Sequence, residues 1–337
     1  MNHGRKYLDA VGGQPTAASA LDAAEICLRA GFASRSARHS EGVAAAALWD
    51  AALETLSRLW QVEPHLIHPV AGLSNAVRTI AMSIPDDARL ALNPLSRQGI
   101  RLTFDHREPE LLEVDSEGHV DHTSTADFVI TQAGNIELGT ISHIASANSA
   151  IIITDATEHV GRMPVLPHGD VVIARADAWA GFTDTCFIIN RNKKLELNTR
   201  VLTVASPSLT SMVGSVAALE ATQSETELLH RALIDEIRNN LPSGVHALGD
   251  RVDRLPHIVT LHVQNIDGEA LAGELDRRGF AVGAGSACLG QAQSHSAVLS
   301  AIGHTSNNHI RVSLPMTCDN VDGFADALID SIESLRL

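Results

Sequence analysis

Four short apolar runs limit what this chain can fold into. They are 128–131 (FVIT), 150–154 (AIIIT), 171–174 (VVIA) and 186–189 (CFII). Each has the length of a strand, and most are rich in Val and Ile. Such runs suit strands buried on both faces of a parallel sheet. From 41 to 60 the period is instead helical: Val43, Ala47, Leu48, Ala51, Ala52, Leu56 and Leu59 recur mostly at spacings of three and four. Helices between buried strands make the fold α/β, with a mainly parallel sheet. A second region begins near 224. It reads as a helix to about 240, a strand at 258–263, a helix at 268–278, a Gly-rich loop, a helix at 296–302, a strand at 309–314 and a last helix. The expected division is a large domain, 15–223, and a smaller α+β domain made of 1–14 and 224–337.

Composition narrows the function classes. The 337 residues are 45% apolar and 19% charged, ordinary for a globular protein. A net charge of −15 argues against nucleic acid and anionic membranes as partners. The opening MNHGRKYLDA has no apolar run of a signal peptide, and no stretch reaches the ~18 apolar residues of a membrane helix, so the cytoplasm is expected. Cys27, Cys186, Cys288 and Cys318 form no CxxC pair, and HxxH at His119 and His122 lacks a third ligand, so no metal site is expected.

Several short segments carry chemistry. "GAGSACLG" puts Cys288 among Gly283, Gly285 and Gly290, where the backbone is free to approach a ligand. The plainer reading is a small buried residue. "IITDATEHVG" ends a buried strand on Asp155, at the edge where parallel sheets hold ligands; there an Asp can pair with a protonated ring nitrogen or simply cap a turn. "QAGNIELGT" carries Asn135 and Glu137 after another strand. "HIRVSLP" places Arg311 in a strand, where its fork suits a carboxylate.

Taken in order, these segments resemble the cysteine desulfurases, in the class V branch of fold-type I pyridoxal phosphate (PLP) proteins. "KYLDAVGGQP", "ASRSARHSEG", "AGNIELGTI", "DATEHVGRMPV", "GSAC", "SHSAVLSAIG" and "IRVSLP" carry the resemblance over nearly the whole chain. It implies a PLP-transferase fold. Asp155 would meet the pyridine nitrogen and Asn135 the 3-hydroxyl. Cys288 would hold a persulfide, Arg311 the substrate carboxylate, and Ser206 a phosphate across a dimer interface.

The departures gather at the cofactor. Where the family has Ser-x-His-Lys, this chain has Arg175, Ala176, Asp177 and Ala178, so the Schiff-base lysine is lost. Glu158 stands where the family has Gln. Leu73 replaces a phosphate-cup Thr, leaving Ser74 beside it, and "LNPLSRQG" lacks the stacking His. Lys6, Lys193 and Lys194 are the only lysines, and none is placed to reach the ring. PLP is therefore expected absent or non-covalent. Asp155, Glu158 and Asp177 would crowd one crevice, which calls for a cation such as Arg175 or for protonation.

The implied role is a desulfurase-like partner or thiol carrier in sulfur transfer or iron–sulfur cluster assembly. The alternative is an active desulfurase with unusual PLP binding. Expected partners are a second copy, an active paralogue, or a sulfur-acceptor or scaffold protein.

Overall fold

The computed structural model of the chain describes residues 5–143, 149–222, 225–284 and 296–336. The first half runs β1 (Lys6–Leu8), α1 (Ala18–Ala30), α2 (Ser40–Trp60), β2 (Ile67–Ala71), α3 (Leu73–Ala81), β3 (Leu90–Leu92), α4 (Gln98–Phe104), β4 (Glu110–Leu111), β5 (Phe128–Gln132) and β6 (Ile151–Asp155). The second continues β7 (Val171–Arg175), β8 (Thr185–Asn190), α5 (Thr199–Val204), α6 (Leu209–Glu220), α7 (Glu225–Asn239), β9 (Val245–Ala247) and β10 (Ile258–Val263). It ends α8 (Gly268–Arg277), β11 (Phe280–Ala284), α9 (Ala297–Ala301), β12 (His309–Ser313) and α10 (Phe324–Arg336).

The four apolar runs become β5, β6, β7 and β8, in a seven-stranded sheet of order β2-β8-β7-β6-β5-β3-β4. Strands β4, β3, β5, β6 and β7 pair in parallel, and β8 is antiparallel to both β7 and β2. Helices cover both faces, which is why these strands need no polar side. On one face Trp49, Leu56 and Trp60 of α2 and Met212 and Val216 of α6 meet Val172, Ala174, Phe187 and Ile189. On the other, Val77 and Ile80 of α3 and Ile100 and Phe104 of α4 meet Ile130, Ile153, Ile173 and Ile188.

Helix α2 forms where the period predicted it, but the face it buries is Ala45, Trp49, Ala52, Leu56 and Trp60; of the expected stripe only Ala52 and Leu56 are buried, and Val43, Ala47 and Ala51 are exposed. The His39 ring accepts the Gly42 amide at its start, and Gln61 in the left-handed region ends it. Gly42 is required for close packing: a Cβ there would lie 2.4 Å from the Ala37 carbonyl oxygen.

The second sheet has the order β1-β11-β12-β10-β9. The N-terminal β1 joins it, parallel to β11, with Tyr7 opposite Ala281. Val259, Leu261, Val263, Ile310 and Val312 pack under α7, α8 and α10. Alternation along the strands leaves Thr260, His262, His309 and Arg311 on the opposite face. No helix of the described residues is long and apolar enough to cross a membrane.

The stretch from 176 to 181, after β7, is a tight turn rather than a loose loop. It makes one 3₁₀ turn (Ala176–Trp179) and leaves through Ala180 at φ 63°. Trp179 anchors it: the indole stacks on Phe187 at 6.1 Å, stands edge-on to Trp60, and donates to the Ser215 carbonyl at 2.9 Å. Trp179→Ala should therefore cost about 3–5 kcal/mol of stability, the usual range for emptying a buried aromatic site. Urea unfolding followed by circular dichroism measures it; a loss under about 1 kcal/mol would show that the turn is held by other contacts.

Candidate functional site

Strands β5, β6 and β7 point their carboxyl ends the same way, and the predicted residues collect there. Asp155 closes β6, opposite Gln132 of β5, and Arg175 closes β7. This is the edge where parallel sheets place ligands.

Asp155 is fully engaged. Its Oδ1 accepts from the Thr157 amide at 3.0 Å and the Thr157 hydroxyl at 2.6 Å; its Oδ2 accepts from Arg97 Nε at 2.5 Å. Arg97 Nη2 lies 3.5 Å from Glu158 Oε1. The side chains of Arg97, Asp155 and Glu158 are 7%, 2% and 9% exposed, so these charges meet away from water. Arg175 pairs with Asp177 instead, Nε to Oδ1 at 2.9 Å. The expected cation Arg175 thus meets one of the three carboxylates. It serves Asp177, while Arg97 takes the two deeper carboxylates. Sequence reading missed Arg97, although it lies in "LNPLSRQG", the segment the resemblance set over the ring. An arginine inside a segment flanked by buried Leu95 and Ile100 was the available signal.

The network extends toward the second sheet. His257 Nε2 lies 3.5 Å from Glu158 Oε2, beyond good hydrogen-bond length. Arg162, also buried, sets Nη1 3.1 Å from His230 Nδ1 in α7. The buried carboxylates Asp155 and Glu158 thus lie among the buried Arg97 and Arg162, with the half-buried Arg175–Asp177 pair beside them. Burial pushes the Glu158 carboxyl up, but the His257 contact and the charges of Arg97 and Arg175 outweigh it and hold the group at about 2. Burial and then Arg162 bring His257 down to about 4, so its ring is neutral at pH 7.

The remaining predicted residues have other partners. Asn135 braces a turn: its Oδ1 accepts from the Glu137 and Leu138 amides at 2.8 and 2.7 Å, and its Nδ2 donates to the Leu95 carbonyl at 3.0 Å. It thereby fixes the segment that delivers Arg97. Ala178 is buried, and its carbonyl accepts from Gln14 Nε2 at 2.9 Å. The same amide donates to the Asp177 carbonyl, and Gln14 Oε1 accepts the Met316 amide, tying this turn to the chain beyond β12. Leu73 and Ser74 open α3, with Leu73 packed on the core and Ser74 exposed. Ser206 Oγ accepts from Arg35 Nη2 at 3.3 Å. Arg311 is buried in β12, its Nη2 on Asp9 Oδ1 at 2.8 Å. Cys288 lies outside the described residues. The described residues hold no cluster of His, Cys, Asp and Glu able to bind a metal.

No other lysine reaches this edge. Lys193 and Lys194 follow Asn190, which pairs with Val171 at the amino end of β7, whereas Arg175 pairs with Cys186 at its other end. Lys6 bonds Asn320 beside the second sheet. PLP does not fit these residues. Arg97 already occupies the place beside Asp155 Oδ2 that a ring nitrogen would need, and none of the chain's three lysines reaches this edge.

No family model matches the chain. It is 24% identical over 376 aligned residues to a cysteine desulfurase of Cereibacter sphaeroides, covering 98% of this chain and 97% of that one. It is 23% identical to a cysteine desulfurase of Sinorhizobium fredii, covering 81% of each. Among solved structures, a NifS-like protein superposes with a TM-score of 0.81 at 19% identity, covering 98% of this chain and 99% of that one. The apo structure of a cysteine desulfurase from Thermococcus onnurineus reaches 0.83 at 16%, covering 98% and 95%. The expected fold type is thereby borne out.

Buried neutral histidines set a pH dependence. Burial first lowers His159, His257 and His309 to about 4 and His230 to about 3. An unfolded imidazole titrates near ~6.5, so above that both states are neutral and stability is full. Below it the unfolded chain takes protons that the folded chain refuses. Stability should fall from pH 6.5 toward 4, by up to ~1.4 kcal/mol per pH unit per histidine. Glu158 adds a separate loss as pH falls from its ordinary value of 4.5 toward about 2. Urea unfolding between pH 7.5 and 4.5 tests this: His309→Gln should flatten the slope by about one proton, and a pH-independent stability over that range would refute it.

Proposed function

We propose that this chain, cysteine desulfurase-like in sequence and fold, works without PLP-dependent catalysis, as a partner or thiol/persulfide carrier in sulfur transfer or iron–sulfur cluster assembly. One observation carries the reading: the carboxylate that would hold the cofactor ring, Asp155, is bonded to Arg97 in a buried ion pair. Ala178 removes the amine as well, and the lysines the chain retains lie elsewhere. The alternative of an active desulfurase rests on "GSAC" and Arg311, and the closed ring site counts against it.

In this reading Cys288 is the working group. Its thiolate attacks the outer sulfur of a donor persulfide. The donor's S–S bond breaks, a new S–S bond forms on Cys288, and the donor leaves as a thiolate, so no outside oxidant is needed. The reverse step hands the sulfur to an acceptor. The other cysteines are poorly suited. Cys186 is buried and its thiol is pushed up to about 12 by burial first and then by Asp155. Cys27 is buried and also raised by burial.

A two-fold dimer is part of the proposal, as is a large domain of 15–223 with the second formed by 1–14 and 224–337. Exposed Ile26, Leu28 and Phe32 in and after α1, with Val43 on α2, offer apolar surface for such an interface. The cytoplasm is the proposed location.

The purified protein should show no visible band, should take up no PLP, and should release no alanine from cysteine. An absorption spectrum with and without added PLP checks this; a Schiff-base band on any lysine would overturn the reading. Brief alkylation followed by mass spectrometry should mark Cys288 before Cys186, Cys27 or Cys318, and a persulfidated donor should transfer one sulfur to Cys288. Preferential labelling of Cys186 would remove the carrier role. Sedimentation at micromolar concentration should show a dimer, and a lone monomer would count against the shared interface.

A further inference from the structure

The geometry points to a binding site for a small planar monocation at the carboxyl end of β6, which this chain fills with its own Arg97. The inference rests on the reading that the crevice holds no PLP, and it names what holds the crevice instead.

The two halves of the site come from different parts of the chain. Asp155 and Glu158 belong to the segment that ends β6. Arg97 arrives from the residue before α4, where its carbonyl accepts the Ile100 and Arg101 amides. The host carboxylate is oriented without its guest, because Thr157 holds Asp155 Oδ1 by both amide and hydroxyl. That leaves Oδ2 to accept from Arg97 Nε at 2.5 Å. Glu158 supplies a second oxygen, 3.5 Å from Nη2. The guest side chain is 7% exposed, so the site is closed around it.

A guanidinium and a protonated pyridine share the relevant chemistry. Each is flat, carries one delocalised positive charge, and donates N–H in its own plane. The buried Arg97 side chain fills the space in front of Asp155 Oδ2, so a ring nitrogen has no room to approach that oxygen while the arginine stays. The site therefore excludes a pyridinium by occupancy, independently of the amine missing at Ala178. Restoring that amine alone, by Ala178→Lys, leaves the ring site filled. Once the arginine side chain is removed, the two carboxylates face an empty space shaped for a guanidinium.

The test uses Arg97→Ala and methylguanidinium as the probe. Titration calorimetry should show saturable binding to Arg97→Ala, with a Kd of about 1 mM or somewhat weaker, and none to the wild type. Methylguanidinium should also raise the melting temperature of the variant above the effect of sodium chloride at equal ionic strength. If Arg97→Ala does not fold, Arg97→Ala/Glu158→Gln, which buries one carboxylate fewer, takes its place in the same titration. A folded variant that ignores methylguanidinium, or that sodium stabilises equally, overturns the inference. If wild type meanwhile takes up no PLP, the proposed function stands without it; if wild type binds PLP with Arg97 intact, both fall.

Discussion

Buried charge is the constraint on which the centre of this molecule depends. Two carboxylates at the end of β6 cannot stay ionised in a closed site unless cations meet them, because desolvation costs several kcal/mol per ion. Arg97 meets both, and Arg175 meets Asp177 one strand away. Such a pair adds little net stability compared with apolar packing, but losing one partner leaves an uncompensated charge, typically worth 3–5 kcal/mol. The carboxylates and the arginine are thus bound to one another as a set.

The surrounding structure serves to deliver that arginine. Asn135 spends its side chain on the turn after β5 and on the Leu95 carbonyl, which sets the path into α4. The turn around Ala178 is fixed from below by Trp179 and from the side by Gln14. Arg254 joins the two sheets by donating to the carbonyls of Leu138, Leu248, Gly249 and Ile258. Ser296, at the start of α9, donates to the Glu137 carboxylate. Asn135, Asp155 and Arg311 thus spend their side chains on the protein itself.

Fold and chemistry separate in this chain. The chain superposes on a NifS-like structure over 98% of its length. That agreement says nothing of catalysis, since a fold hosts function only through the residues of its site. In this chain β6 ends on Asp155, bonded to Arg97, and β12 carries Arg311, bonded to Asp9.

What the sequence determined by itself is what local pattern can encode. Continuous Val/Ile runs predicted β5 to β8 because strands covered on both faces need no polar alternation, and the period predicted helix α2 though not which face it buries, since packing on the sheet chose the stripe of Trp49, Leu56 and Trp60. The order of short motifs implied the fold type, which the solved structures bear out. The partner of Asp155 was not legible. Arg97 and Asp155 stand 58 residues apart, and nothing local links them. Arg175, two residues from Asp177, was the nearer choice in sequence, and it bonds Asp177 while Arg97 bonds Asp155 and reaches Glu158. Only the tertiary structure decided it, because a buried charge is satisfied by whichever opposite charge packing brings within hydrogen-bond reach, and packing follows the sheet rather than the chain.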